Sequence, residues 1–401
     1  MDHTDPVALG SRALFPDLAP RAYLNHCGVS PASTLVRRAA EEVLGRYAQR
    51  GAGAFPVYME QRARLKGKLA GMIGASADDI ALVASTTTGI VDVALCFPWE
   101  PGDRVLCFQG EFPTNVTPWQ RAAERYGLNL EFLSLAGFGD GSGDGLARLE
   151  RALRAPTRLV AVSAVQFQTG LRMPIEAMAD LCHAAGAQLF VDGIQAVGVI
   201  PLDHIANKVD YLCAGSHKWL MGLEGCAFLY VHPERAPRLR PVVAGWLSHV
   251  DSLTFLFEGE GHLRYDRPLK PRAEVLEGGA TNSLGFAALE AAVGPLITLG
   301  PAAIHAHVNA YLDALERGLL ARGFQSGRAA DPAARSCILS ARPPEGPSLP
   351  VLVRELGLRG VDVAMPDGWL RFGPHWPNAL SEVPMVLDAL DEAVAAAQIG
   401  G

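Results

Sequence analysis

Lys218 stands in the run Tyr211-Leu-Cys-Ala-Gly-Ser-His-Lys218-Trp-Leu, at the end of an apolar, strand-like stretch. The chain has five lysines, at 66, 68, 208, 218 and 270, against thirty arginines, and the other four lie in polar helical or loop sequence. Enclosure by Ser216, His217 and Trp219 strips water from the charged form of the amine, which lowers its pKa and makes it a nucleophile toward aldehydes. Taken alone, the same residue also reads as a satisfied lysine closing a strand. Upstream, Leu189-Phe-Val-Asp192-Gly-Ile-Gln195 ends another apolar run on a carboxylate. A carboxylate there needs a cation or hydrogen-bond donors. Asp192 is therefore either a cap on the turn that Asp-Gly marks or the partner of a bound cation. Together, an acid and a desolvated lysine at two strand ends suit pyridoxal 5'-phosphate, with the amine on its aldehyde and the acid on its pyridine nitrogen.

A third feature is Ser85-Thr86-Thr87-Thr88-Gly89, a polar turn between an apolar run and a helical pattern that begins at Ile90. Such a turn is either a plain helix N-cap or a phosphate seat, because free N–H groups and the positive helix end face an anion. No glycine fingerprint for a dinucleotide and no Walker lysine is present, so a small phosphorylated cofactor fits better than NAD or ATP.

The elements that would position these residues alternate. Residues 33–50 and 57–74 read as helices. Strand patterns follow at 80–84, 104–108, 130–133, 159–163 and 188–191, separated by helical segments, and the glycine-rich stretch at 137–145 reads as an exposed loop. This βα alternation predicts an α/β fold whose mostly parallel sheet is covered by helices. From about 286 the pattern changes to Ala/Leu-rich helices, a strand at 337–340 and a C-terminal helix, which reads as a smaller α+β domain. The expected organisation is 1–30 joining the small domain, 31–285 as the large domain and 286–401 as the small one.

Composition narrows the function. The chain has 401 residues, 49% hydrophobic, and a formal charge of −7 with both signs dispersed. No basic patch points to nucleic acid or a membrane surface, and no apolar run reaches transmembrane length. The start, Met1-Asp-His-Thr-Asp-Pro, lacks the organisation of a signal peptide. Seven scattered cysteines without a CxxC pair read as buried thiols of a reducing compartment, and the histidines form no metal pattern. A cytoplasmic protein with no metal site is expected.

Asp192-Gly-Ile-Gln195 and Ser216-His-Lys218-Trp-Leu, in this order and spacing, resemble the class V aminotransferase family of fold-type I pyridoxal-phosphate enzymes, which includes cysteine desulfurases and isopenicillin N epimerase-like proteins. The resemblance runs from Tyr23 to Asn378. It implies that Lys218 holds the cofactor as a Schiff base and moves protons, that Asp192 pairs with the ring nitrogen, and that Gln195 bonds the ring's phenolic oxygen. Thr86 and Thr87 match the phosphate loop, with Ser216 and His217 as further donors. Phe112 falls where relatives stack a ring on the cofactor, although it also reads as a core phenylalanine. Thr281 matches a threonine lent to the phosphate of the other subunit, so a homodimer with active sites at the subunit boundary is implied. Arg371 matches the arginine that clamps the carboxylate of an amino acid substrate, and its fork geometry suits that task. Asn25 and His26 border the substrate.

Departures from the family matter too. Residues 360–371, where desulfurases carry a nucleophilic cysteine, contain none; Cys337 reads as core, and Phe112 replaces a histidine. Gly373 stands where many relatives have serine, so a carboxylate contact is either missing or supplied by backbone. Transamination is the reading preferred, with a β-eliminating C–S lyase as the alternative and epimerisation behind both. A cofactor-binding regulator is disfavoured because no basic helix-turn-helix precedes the fold.

Overall fold

Short apolar runs between residues 80 and 231 assemble into one seven-stranded sheet in the computed structural model, which describes residues 7–345 and 348–399. The outermost parts of the expected end segments, residues 1–6 and 400–401, lie outside the described residues. After β1 (Ala22–Tyr23), the strands of this sheet are β2 (Ile80–Val83), β3 (Arg104–Phe108), β4 (Asn129–Leu133), β5 (Leu159–Ser163), β6 (Gln188–Asp192), β7 (Tyr211–Gly215) and β8 (Ala227–Val231). Their order is β2-β8-β7-β6-β5-β3-β4, and β8 alone runs against its neighbours. Strands β5, β7 and β8 are buried at every residue, because helices cover both faces and no alternation with polar side chains is needed.

Successive side chains of a strand point to opposite faces, and this divides the core in two. Val105, Leu159, Ala161, Phe190, Tyr211 and Leu229 pack with Ile90, Val93 and Trp119 on one side. Leu106, Val160, Val162, Leu189, Val191 and Phe228 pack on the other with Leu65, Leu69, Met178 and Leu289. The covering helices are α1 (Thr34–Arg50), α2 (Phe55–Ile73), α3 (Thr86–Cys96), α4 (Thr117–Tyr126), α5 (Asp144–Ala152) and α6 (Ile175–Ala184); a short turn, α7 (Thr254–Phe257), and α8 (Ser283–Leu299) follow. The chain continues through α9 (Pro301–Ala321), β9 (Gln325–Ser326), β10 (Leu339–Arg342), α10 (Leu349–Leu358), β11 (Val361–Asp362), β12 (Leu370–Phe372) and α11 (Val383–Ile399). Strands β12, β10 and β9 form an antiparallel sheet, and β1 pairs with β11 in parallel.

Three local readings change. The helix expected from Ile90 begins at Thr86, because Ser85 is its N-cap and its hydroxyl accepts from Thr88 N–H at 3.0 Å. The glycine-rich loop ends earlier than expected: α5 starts at Asp144, and Gly145 lies in it against the buried Phe138 ring. The strand expected at 337–340 begins at Leu339. Among the described residues no single helix is long and apolar enough to cross a membrane.

Two distant segments lock the backbone at Lys218. Ser30 Oγ donates to the Lys218 carbonyl at 2.7 Å and in turn accepts from His26 Nδ1 at 2.8 Å. His375 Nδ1 accepts the Trp376 N–H at 2.7 Å, so its Nε2 carries the hydrogen directed at the Trp219 carbonyl, 3.0 Å away. His375 is fully buried, and burial pushes its pKa down to about 4. A histidine held neutral in the fold and free to protonate when unfolded contributes stability that is complete above its unfolded pKa of 6.5 and is lost as pH falls toward 4. We expect the stability difference between wild type and H375Q to shrink by on the order of 3 kcal/mol between those limits. Denaturant unfolding at a series of pH values measures it, and a pH-independent difference would refute the neutral lock.

Candidate active site

Parallel strands in register bring their carboxyl ends to one edge, the edge at which open α/β sheets bind ligands. Ser163, Asp192 and Cys213 are neighbours across β5, β6 and β7, and directly after β7 the chain turns through Ser216, His217 and Lys218. Asp192 is 2% exposed; its Oδ1 accepts the Ile194 N–H at 3.0 Å. Burial pushes its pKa up to about 7, with the Glu111 carboxyl adding to the rise and Lys218 opposing it. Lys218 is driven the other way: burial lowers its pKa, Asp192 and the Cys27 thiol oppose that, and Arg371 adds to it. Each charge is thus disfavoured where it sits, and a cation placed beside Asp192 would restore its ionised form.

The Lys218 amine lies 5.6 Å from the centre of the Phe112 ring. That ring is 44% exposed and meets Phe167 edge-on at 5.2 Å, so Phe112 is a wall of the site and not the core residue of the other reading. At the start of α3, Thr86 is buried and its hydroxyl has no partner, while the Thr87 hydroxyl lies 2.5 Å from that of Thr114. An unpartnered buried hydroxyl beside the free N–H groups of a helix N-terminus suits an anion. Arg371, 6% exposed, donates from Nη1 to the Phe167 carbonyl at 2.7 Å and leaves Nε buried without a partner. Thr281 Oγ1 is likewise buried and unpartnered. These orphan donors, with the desolvated amine and acid, fit the phosphate, carboxylate, aldehyde and ring nitrogen implied by the sequence.

Other expected contacts differ. The Ser216 hydroxyl donates to the Leu223 carbonyl and is fully buried, so its hydrogen is not free for a phosphate; it shapes the turn instead. His217 is half-buried, and burial together with Lys218 lowers its pKa, which favours the neutral ring. Gln195 uses its amide to join the Cys27 carbonyl, 3.0 Å from Nε2, to the Trp219 indole, 2.7 Å from Oε1. One Nε2 hydrogen remains for a ligand. His26, expected beside the substrate, is 2% exposed and supports the Lys218 carbonyl through Ser30. Asn25 leaves Oδ1 buried and unpartnered, next to Gly28.

Gly373 explains its own departure. A Cβ there would lie 2.5 Å from Cys27 Sγ and 3.2 Å from the Cys27 nitrogen. Its N–H donates to the Leu24 carbonyl at 2.6 Å and its carbonyl accepts from His26 N–H at 3.1 Å, so the backbone joins two chain segments and its N–H is not left for a carboxylate. Sequence reasoning gives no role to Glu111, which is buried under four hydrogen bonds, or to the supporting residues Ser30, Cys27 and His375. The signal for Glu111 is available: Asp192 closes an apolar strand, and Glu111 is an acid three residues after another. No group of three or more His, Cys, Asp or Glu among the described residues is placed to hold a metal ion.

The family model for Aminotransferase class-V matches residues 38–339. Among curated relatives, the uncharacterized aminotransferase YcbU of Bacillus subtilis is 27% identical over 94% of this chain and 96% of its own. A cysteine desulfurase of Dickeya dadantii is 34% identical over 58% of this chain and 54% of its own. A solved structure of a C-DES mutant with glycine covalently linked to its PLP cofactor superposes with a TM-score of 0.85 at 23% identity, covering 95% of this chain and 98% of that one, which shows the same fold. The chain belongs to the aminotransferase class-V family.

The Gly373 geometry is testable. We expect G373S to destabilise the protein by about 1–3 kcal/mol, the usual cost of overpacking, and a C27A background to recover part of that loss. Denaturant midpoints of the single and double variants measure both. A G373S protein as stable as wild type would show that the site can admit the serine.

Proposed function

We propose that this chain is a pyridoxal-phosphate-dependent aminotransferase acting on an amino acid, with Lys218 as its base, Asp192 as the acid facing the ring nitrogen and Arg371 as the carboxylate clamp. The observation that carries the reading is the pairing of a desolvated amine with a desolvated carboxylate at the ends of adjacent parallel strands. When bound, the cofactor supplies an aldehyde that condenses with amines and a ring that withdraws electrons from the substrate α-carbon. The residues supply the rest. Asp192 would be stabilised as the anion by a ring N–H⁺ and would keep that proton in place. Thr86 and the first N–H groups of α3 would hold the phosphate, with Thr87 beside them, and the remaining Gln195 amide hydrogen would serve the phenolic oxygen. The Phe112 ring would limit water at the Lys218 amine.

Arg371 orients the substrate carboxylate through its unpartnered Nε. Lys218, its charged form weakened by burial, removes the α-proton. Phe112 has no proton to give, whereas the Lys218 amine can both accept and return one. One base that accepts a proton from the substrate α-carbon and can give it back supplies the proton movements that transamination would need. β-Elimination begins with the same proton removal and then expels a group from the β-carbon. It is the second reading, supported by relatives named for cleaving cysteine.

Two observations support a homodimer. Thr281 Oγ1 is buried without a partner. In the segment before it Trp246, Leu256, Phe257, Leu263 and Tyr265 are all exposed, the last at 90%, and a second copy would cover them. Seven free, buried thiols suit a reducing compartment such as the cytoplasm.

We expect K218A to fold, by far-UV circular dichroism, but to lack the visible absorbance of the wild-type protein; an identical spectrum would remove Lys218 from its role. R371L should lower kcat/KM by roughly 10–100-fold, the worth of hydrogen bonds to a charged group, mainly through KM. The reaction itself is decided by adding single amino acids without a keto acid. For an aminotransferase the visible band bleaches once and a keto acid restores it. A band that persists while ammonia and keto acid accumulate over many turnovers would instead establish the eliminating lyase.

A further inference from the structure

Glu111 follows β3 by three residues and is 7% exposed. One carboxylate oxygen accepts from the Ser163 N–H at 2.7 Å and from Gln166 Nε2 at 2.8 Å; the other accepts from the Ser163 hydroxyl and from Asn115 Nδ2 at 3.2 Å. Asn115 and Gln166 are themselves buried, and Asn115 Oδ1 accepts from the Trp119 indole at 3.2 Å. A buried carboxylate is costly unless donors surround it, and here three separate chain positions supply them. An apolar side chain would fill the same space without that demand, but it could not join these turns.

What the turns carry is the active site. Phe112, covalently next to Glu111, presents its ring 5.6 Å from the Lys218 amine. Phe167, covalently next to Gln166, meets that ring at 5.2 Å and offers its carbonyl to Arg371 Nη1 at 2.7 Å. Ser163 is the cross-strand neighbour of Asp192, and the Ala164 N–H donates to the Asp192 carbonyl at 2.8 Å. Each of these groups is therefore no more than one residue and one hydrogen bond from Glu111 or from an anchor of its carboxylate.

We propose that Glu111 is a positioning residue: by joining the Phe112 turn to the Ser163–Phe167 turn, it sets where Arg371 presents its guanidinium relative to Lys218. This rests on the cofactor and carboxylate-clamp reading above. Glu111 does not exchange protons with substrate; it acts through the Phe167 carbonyl and the Phe112 ring. Placement errors near 1 Å are enough to change reaction rates by large factors.

The test compares capture of the cofactor aldehyde by aminooxyacetate, which carries a carboxylate, and by methoxyamine, which does not. The ratio of their second-order rate constants, read from the visible band, reports the Arg371 seat without depending on the unknown substrate. Wild type should favour aminooxyacetate, and R371L should abolish that preference and set the floor. E111Q should reduce the preference by about tenfold, with S163A moving it in the same direction to a smaller extent. Thermal unfolding of each cofactor-free variant, recorded in parallel, separates seating from stability. If E111Q and S163A keep the wild-type ratio, whatever happens to their melting temperatures, the hub is structural only and the proposal is overturned. If E111Q does not fold, the S163A ratio alone decides in the same way. A wild-type protein that reacts with neither reagent would overturn the cofactor reading, and this proposal with it.

Discussion

The arrangement depends on one constraint: an amine and a carboxylate are kept largely out of water at the ends of two adjacent parallel strands. Neither Lys218 nor Asp192 carries its charge comfortably there, since burial lowers the pKa of the first and raises that of the second. A protein does not retain such a pair for stability, because replacing buried ions with apolar groups is often neutral or favourable. Perturbed titration in a cleft is instead what chemistry requires of a base and of a group that must hold a cation. The parallel sheet places both residues at one edge, and the turn after β7 puts the amine within reach of an aromatic wall.

That edge holds its geometry because distant parts of the chain are tied to it. The N-terminal segment reaches the Lys218 carbonyl through Ser30 and His26, and the segment after β12 reaches the next carbonyl through His375. Gln195 adds a third tie, between the Cys27 carbonyl and the Trp219 indole. The two backbone carbonyls at and just after Lys218 are therefore held by side chains about 150 to 200 positions away in sequence, which preorganises the lysine before any ligand arrives.

Much of this was legible in the sequence, for physical reasons. Strands buried on both faces read as unbroken apolar runs, so β3, β5 and β6 could be located within a residue or two. Lys218 and Asp192 stood out because charged residues rarely end such runs. The antiparallel strand β8 was not assigned, because an apolar run carries no mark of its direction or neighbours. The first turn of α3 was read as a polar turn because its threonines lack helix propensity, and only the Ser85 cap shows that they are helical. The sequence offers the hydroxyl of Ser216 and the ring of His26 to ligands, whereas the first bonds the Leu223 carbonyl and the second bonds the Ser30 hydroxyl. Residue type advertises a donor, but its partner is a matter of tertiary geometry.

The seven cysteines bear on the reaction through their placement. All are free and buried, including Cys27, the thiol whose charge would act on Lys218. Cys27 fills the space that a side chain at position 373 would need, and its carbonyl and backbone nitrogen face Gln195 and Gly373. A thiol that must attack sulfur on a substrate needs access and room to move, and this one has neither. If a substrate bearing sulfur at its β-carbon enters the site, no cysteine in this placement can take the sulfur up as a protein-bound persulfide. The sulfur would leave as a small molecule, and the work left to the protein would be proton removal by Lys218 and orientation by Arg371. Those same two tasks are what transamination asks of it, so the two readings divide on the substrate's leaving group and not on the protein's own chemistry.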